Sequence, residues 1–244
     1  MTIAPAARNA HLATIGLGFT QIVGWGTTFL MPAVLGRPMG QALDLPSEIV
    51  FGGITVMFAT GAIFAPQVGR LIDRNGARLP MAAGSLLCAA ALVALAMAQG
   101  PVSYLLSWVG LGLASTLALN TPANIALAQI AGPAARRAIA LLAIIGGLAS
   151  TVFWPLSDML DAAFGWRGAL LIYAALHLVA CAPVHWLVLP RQRPAHPLAA
   201  SSQPATIGVP DEMHRRAFLL LSVSLASGAF VFTGAIVHMI EILR

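Results

Sequence analysis

Lysine is missing altogether, and charge of either sign is scarce: 13 arginines and 8 acidic residues make up 9% of 244 positions. A soluble domain carries about 25% charged residues because it must solvate its own surface. This chain cannot do so, and its outer surface has to face lipid. Cysteine is limited to Cys88 and Cys181, both inside apolar runs without metal-ligand or redox spacing, so both read as small buried hydrophobes. No H-E-x-x-H occurs, no phosphate-cradling Gly-rich loop precedes a lysine, and the Ser and His residues are scattered. No catalytic residue, metal or cofactor is expected, and the chain does not read as an enzyme. The basic excess would suggest nucleic acid in a soluble protein. Here it lies between apolar runs, where membrane topology explains it and no nucleic-acid partner is needed.

What is abundant is hydrocarbon: 59% of residues are hydrophobic, and the mean hydropathy is +0.86. A helix needs about 20 mostly apolar residues to cross a bilayer. Seven segments qualify: Leu12–Leu35, Ile49–Val68, Leu79–Ala98, Val102–Ala131, Ala138–Ser157, Gly168–Leu189 and Ala217–Ile240. The first is longer than a signal-peptide core and has no convincing cleavage site after it, so no cleaved leader is expected. With a cytoplasmic N-terminus, that side receives Arg8, Arg70, Arg74, Arg78, Arg136, Arg137, Arg191, Arg193, Arg215 and Arg216, leaving Arg37, Arg167 and Arg244 opposite. The bias keeps one sign across every loop and predicts a multi-pass protein of the cell (inner or plasma) membrane with its N-terminus in the cytoplasm.

Pro190, Pro194, Pro197, Pro204 and Pro210, spaced by Ser, Gln and Ala, mark an extended linker. The expected organisation is a six-helix transmembrane bundle over 1–189, a cytoplasmic Pro-rich linker over 190–214, and a seventh transmembrane helix over 215–244 that begins a second bundle. Within the spans, Gln21, Trp25 and Thr28 on the first, Asn120 and Asn124 on the fourth, and His177 on the sixth are candidates for lining a cavity. Asn120 and Asn124, four apart, share a helix face. Helix-to-helix hydrogen bonding is the competing account for such amides in lipid. Spans 1 and 4 echo one another: Gly24 and Gly26 precede Pro32, and Gly110 and Gly112 precede Pro122, a pattern suited to helices that approach closely and bend. Asp158 and Asp161 read as interfacial, pairing with Arg167. His185 beside Trp186 reads as an anchor at the cytoplasmic interface, and an interfacial position equally explains His238 and Glu241.

Between spans 2 and 3 runs Gly69-Arg-Leu-Ile-Asp73-Arg74-Asn-Gly76-Ala-Arg78. It resembles the loop 2–3 signature of the major facilitator superfamily, roughly G-x-L-x-D-R-x-G-x-R. Gly69, Leu71, Asp73, Arg74, Gly76 and Arg78 match, while Ala77 departs from the commoner second basic residue. The form G-R-L-I-D-R-x-G-A-R, together with Phe164-Gly165-Trp166-Arg167, Gly24-Trp25-Gly26 and Val237-His238-Met239, is similar to bacterial members related to the monocarboxylate transporters.

That resemblance implies an all-α membrane protein: a six-helix N-terminal bundle of the major facilitator fold plus a seventh transmembrane helix. It implies secondary active transport of a small solute by alternating access, the solute being a monocarboxylate or similar organic anion. In the loop, Gly69, Arg70, Asp73, Arg74, Gly76 and Arg78 would form a conformational latch, with Asp73 near the start of span 3 closing against the second bundle and the two glycines allowing close packing. The family has twelve spans, so the chain reads as truncated after the seventh, its partners being the lipid bilayer, the solute, and a missing C-terminal bundle or second copy. No basic residue lies centrally in spans 1 to 6, and Leu106, Ser107 and Trp108 stand where many proton-coupled relatives carry an arginine. A counter-charge for an anion would then belong to the second bundle. A seven-helix receptor or sensor and a non-transporting membrane subunit are the alternatives; the receptor needs an external N-terminus, against the arginine distribution.

Overall fold

The computed structural model describes residues 5–190 and, beyond them, 216–217, 219–225, 227–228 and 231. The chain divides into two compact units, Met1–Pro194 and Ala195–Arg244. In the second, the described residues are helical. Nearly all of the Pro-rich linker, much of the seventh span, and His238, Glu241 and Arg244 lie outside the described residues.

The first unit is built from α1 (Pro5–Thr27), α2 (Pro32–Leu43), α3 (Ser47–Asn75), α4 (Arg78–Ala96), α5 (Pro101–Ala118), α6 (Asn120–Ala131), α7 (Ala135–Gly147), α8 (Ala149–Leu176) and α9 (Ala182–Val188). A π-turn, His177–Cys181, joins α8 to α9. Among the described residues, three helical stretches are long and apolar enough to cross a membrane: Ser47–Asn75, Arg78–Ala96 and Pro101–Val188. The last reverses twice, at Gly132 (φ 51°) and Gly165 (φ 69°), where left-handed backbone favours a residue without Cβ. By its reversals the unit divides into six helical legs, called passes below, the first being α1 with α2, the fourth α5 with α6, the fifth α7 with the start of α8, and the sixth the rest of α8 with α9. It is an all-α membrane protein.

Proline explains why single spans become paired helices. Pro32 and Pro122 have no N–H for the carbonyl four residues back, and their rings crowd it. The first pass breaks over 28–31, immediately before Pro32, and the fourth at Leu119 (φ −90°, ψ −148°), just before Pro122. The predicted echo between the two spans is thus a structural one. Some boundaries differ from expectation. The first pass continues to Leu43, because Leu35, Met39 and Leu43 recur at one-turn intervals on a buried face. Arg37 consequently projects from α2 instead of occupying a loop. The second pass runs on to Asn75, reducing the connection to Gly76 and Ala77.

All six passes meet in one apolar cluster: Ala13 and Leu17; Val68 and Ile72; Met81; Ala123, Ala126 and Leu127; Leu142; and Leu189. That end of the bundle is where Arg70, Arg74, Arg78, Arg136 and Arg137 gather. At the other end the Tyr104 hydroxyl donates to the Val50 carbonyl at 2.8 Å. Between the ends, glycines let backbones touch. A Cβ at Gly112 would lie 2.5 Å from the Met57 carbonyl oxygen and 2.8 Å from Thr60 Cβ, whereas one at Gly52 meets nothing within 4 Å. Alanine is favoured over glycine inside a helix by about 1 kcal/mol, but overpacking against backbone costs about 1–3 kcal/mol. Gly112→Ala is expected to lower the thermal unfolding temperature of the detergent-solubilised chain, while Gly52→Ala leaves it unchanged or slightly raised. Equal behaviour of the two would refute the close approach.

Candidate functional site

The break in the fourth pass lies against α1, ahead of that pass's own break. Pro122 cannot donate to the Ala118 carbonyl, and Gln21 Nε2 on α1 does so in its place at 3.2 Å. About one turn along α1, Trp25 Nε1 donates to Asn120 Oδ1 at 3.2 Å. Gly24 opposes Leu119, and Gly26 opposes the Phe153 ring, so closely that neither glycine has room for a Cβ. Trp25 stacks edge-on against Phe29, with centroids 5.6 Å apart, and Phe29 lies 5.6 Å from Phe58.

The result is a patch of rings and amides where passes 1, 2 and 4 meet. Asn120 and Phe58 are exposed there, and Trp25 and Asn124 are half-buried. The patch is uncharged: α5, α6 and α1 beyond Arg8 carry no acidic or arginine side chain, and neither does α3 between Glu48 and Arg70. Of the other candidates, Gln21, Thr28 and His177 lie inside the bundle at 1%, 1% and 4% exposure. Thr28 donates back to the Gly24 carbonyl at 2.6 Å, and His177 Nε2 contacts Thr27 Oγ1 at 2.8 Å.

The loop motif does local work. Gly76 ends α3 at φ 75°, donating its N–H to the Ile72 carbonyl at 2.8 Å, and so allows α4 to begin at Arg78. The Arg78 guanidinium lies 4.3 Å over the Trp186 ring. Gly76, Ala77 and Arg78 also line a cavity of ≈ 10 Å³ with Gln129, Leu189 and Pro190, room for about one water. Two expectations need correction. Asp73 sits in the last turn of α3, not at the start of the third pass, because the helix continues to Asn75. Gly69 is not a close-packing site, since a Cβ there meets nothing within 4 Å among the described residues. Arg70, Asp73 and Arg74 are exposed.

Arg167 departs from its expected pairing with aspartate. Its Nε donates to the Ala96 carbonyl at 3.0 Å and its Nη2 to the Ala98 carbonyl at 3.1 Å, while the guanidinium lies 4.1 Å over Trp166. These carbonyls end α4, where a cation completes unpaired acceptors and meets the negative end of the helix dipole. His185 is also corrected: it is 1% exposed and bonded inside the bundle, while Trp186, 45% exposed, keeps the interfacial position. Sequence reading missed its partners Thr20 and Ser85, whose small hydroxyls signal nothing in an apolar helix.

A family model describing the Major Facilitator Superfamily matches residues 13–243. The chain belongs to this superfamily. The resemblance of loop 69–78 is therefore borne out at that level. A curated member of similar sequence is the Multidrug resistance protein MdtG of Dickeya zeae (strain Ech586), 32% identical over 126 residues that cover 49% of this chain and 29% of MdtG. The match thus spans less than a third of that protein's length. No solved structure matches the chain.

Arg167→Gln removes both bonds to the α4 end and is expected to cost about 1–3 kcal/mol of stability in detergent. Asp158→Asn and Asp161→Asn are expected to cost nothing, since Arg167 bonds to the α4 carbonyls instead. A loss in either aspartate variant as large as that in Arg167→Gln would restore the ion pair.

Proposed function

We propose that the chain is the N-terminal part of a secondary active transporter that moves a small solute across the cell membrane by alternating access. The observation that carries this reading is the break in pass 4 set against α1, which brings Trp25 to Asn120 on an uncharged face of the bundle, with Asn124 one turn further along. Discontinuous helices supply solute sites in transporters, since irregular backbone within a membrane is tolerated where it lines a cavity. Residues 1–189 form the first bundle, 190–214 a cytoplasmic linker, and 215–244 the start of a second bundle that another part of the protein, or a second copy, completes. The N-terminus is cytoplasmic, as is the arginine-rich end of the bundle.

In this reading Asp73, with Arg70 and Arg74, latches the end of α3 to the second bundle in the state closed to the cytoplasm. Branch resemblance makes the cargo a monocarboxylate or similar organic anion, with its counter-charge outside the six passes, which hold none. The printed name of the MdtG relative suggests drugs instead. The patch supports a solute bound by ring stacking and amide hydrogen bonds, leaving the choice to experiment.

Uptake into vesicles carrying either this chain or a full-length superfamily relative tests the first claim. Flux with the longer protein alone marks this chain as one part of the machine, flux with both marks a working half, and flux with neither refutes the reading. Reporter fusions at residue 1 and in the 190–214 linker are expected to score cytoplasmic, and an external score for either overturns the topology. For cargo, quenching of tryptophan fluorescence by short-chain carboxylates is compared with quenching by aromatic amphiphiles, and Trp25→Phe is expected to weaken the favoured class about tenfold.

A further inference from the structure

The small cavity at the arginine-rich end of the first unit is walled by the start of α4, by α6 and by the end of the sixth pass. Its polar side chains are those of Arg78 and Gln129, both half-buried, and its rim includes the exposed Pro190, so it opens at the bundle surface. A volume of ≈ 10 Å³ admits one oxygen-sized group.

Donors converge there. Arg78 Nε is buried and has no hydrogen-bond partner among the described residues. Leaving such a donor bare costs more than a neutral hydrogen bond returns, because the group is charged. α4 begins at Arg78 with no side chain capping its first turn, so the leading N–H groups of this 19-residue helix are open to a partner. The helix dipole and the guanidinium favour the same occupant, a negatively charged oxygen. Gln129 can add a further donor from its amide.

The surface outside the cavity separates a lipid from a soluble anion. The Arg78 guanidinium lies 4.3 Å over Trp186, a contact that engages its face and leaves its in-plane N–H groups free. Trp186 is 45% exposed, and Leu79 on α4 and Leu187 on α9 are 53% and 78% exposed. Such side chains face acyl chains, while tryptophan marks the headgroup level. The open donors therefore lie where hydrocarbon gives way to phosphate. Arg70, Arg74, Arg136 and Arg137 are exposed at the same end, and Asp73 is the one carboxylate there among the described residues. Four more arginines repel the ammonium of a zwitterionic headgroup and favour a lipid of net negative charge.

We propose that the start of α4, with Arg78, Gln129 and Trp186, binds the phosphate of an anionic phospholipid. One oxygen enters the cavity toward Arg78 Nε and the first N–H groups of α4, and the acyl chains lie along Leu79 and Leu187. The site stands apart from the transport reading, since a bundle that moved no solute would still hold the lipid.

The test uses the full chain in mixed vesicles of phosphatidylglycerol and phosphatidylcholine, with bromine on the acyl chains of one lipid at a time to quench nearby tryptophan. Each variant is read against its Trp186→Phe counterpart, which isolates the Trp186 signal. Brominated phosphatidylglycerol is expected to be preferred about fivefold, and Arg78→Gln to abolish the preference. Most of it is expected to survive about 0.5 M salt, which screens exposed charges but not buried donors. Arg136→Gln, which removes a charge at the same end away from the cavity, is expected to lower it less than Arg78→Gln. Should Arg78→Gln fail to fold, Gln129→Leu obstructs the cavity from α6 and is expected to abolish the preference likewise. Equal quenching by the two lipids, equal effects of Arg78→Gln and Arg136→Gln, or a preference erased by salt leaves only diffuse surface attraction and overturns the site. Displacement of the lipid by inorganic phosphate marks a soluble-anion site and overturns the assignment to lipid.

Discussion

One hydrogen bond, from the Gln21 side chain to the Ala118 carbonyl, shows the constraint on which the bundle depends. Within hydrocarbon there is no water to satisfy a backbone group that proline has stripped of its partner, and leaving it bare costs several kcal/mol. A bend at Pro122 is therefore affordable only if another helix brings a donor to it. Gln21 does so from the first pass, which bends at a proline of its own. The fourth pass is tied to α1 where it is weakest, and Trp25 meets Asn120 beside the tie. Polarity, bend and an open face thus arise from the same requirement.

A second pattern concerns α4 and the sixth pass, which run antiparallel and are fastened along their length. At one end Arg78, the first residue of α4, covers Trp186; at the other, Arg167 holds the carbonyls of Ala96 and Ala98. Between these ends Ser85 meets His185 and Cys88 meets His177, in the same antiparallel order. An arginine at each end suits a membrane helix, because guanidinium groups are tolerable near the interface and the carbonyl end of a helix welcomes positive charge. The middle contacts must be neutral hydrogen bonds, as side chains there are out of reach of water. The order of residue types along this pair follows depth in the bilayer.

The legible parts of the fold are those written in long-range composition. Apolar length gives the six passes, and Pro32 and Pro122 mark the bends. The end at which arginines gather was readable because it needs no knowledge of packing. Residue-level errors have local physical causes. Asp73 was placed one helix too late because Gly76, whose positive φ ends α3, fixes the boundary and neighbouring charges do not. His185 looked interfacial because it adjoins Trp186, yet successive helical residues point about 100° apart, so the neighbour of an exposed tryptophan can face inward. Above all, the placing of His177 and His185 against the same two helices, α1 and α4, was hidden: an eight-residue spacing carries no helical signal, and nothing in His-Leu-Val-Ala-Cys announces a π-turn. Arg167 was matched to the nearest aspartates along the chain, whereas its partners are carbonyls on another helix.

The position of Asp73 bears on the proposed latch. A carboxylate in the last turn of a helix faces the negative end of the dipole, and the placement is unfavourable by about 0.3–1 kcal/mol where exposed. The third pass does not need this residue either, since α4 starts after Gly76 with no side chain capping its first turn. Arg70 and Arg74, on the same or adjoining turn, offset the charge only in part, because exposed ion pairs contribute little. In the proposed latch, the interactions Asp73 makes at this helix end would be exchanged for others when the cytoplasmic side closes.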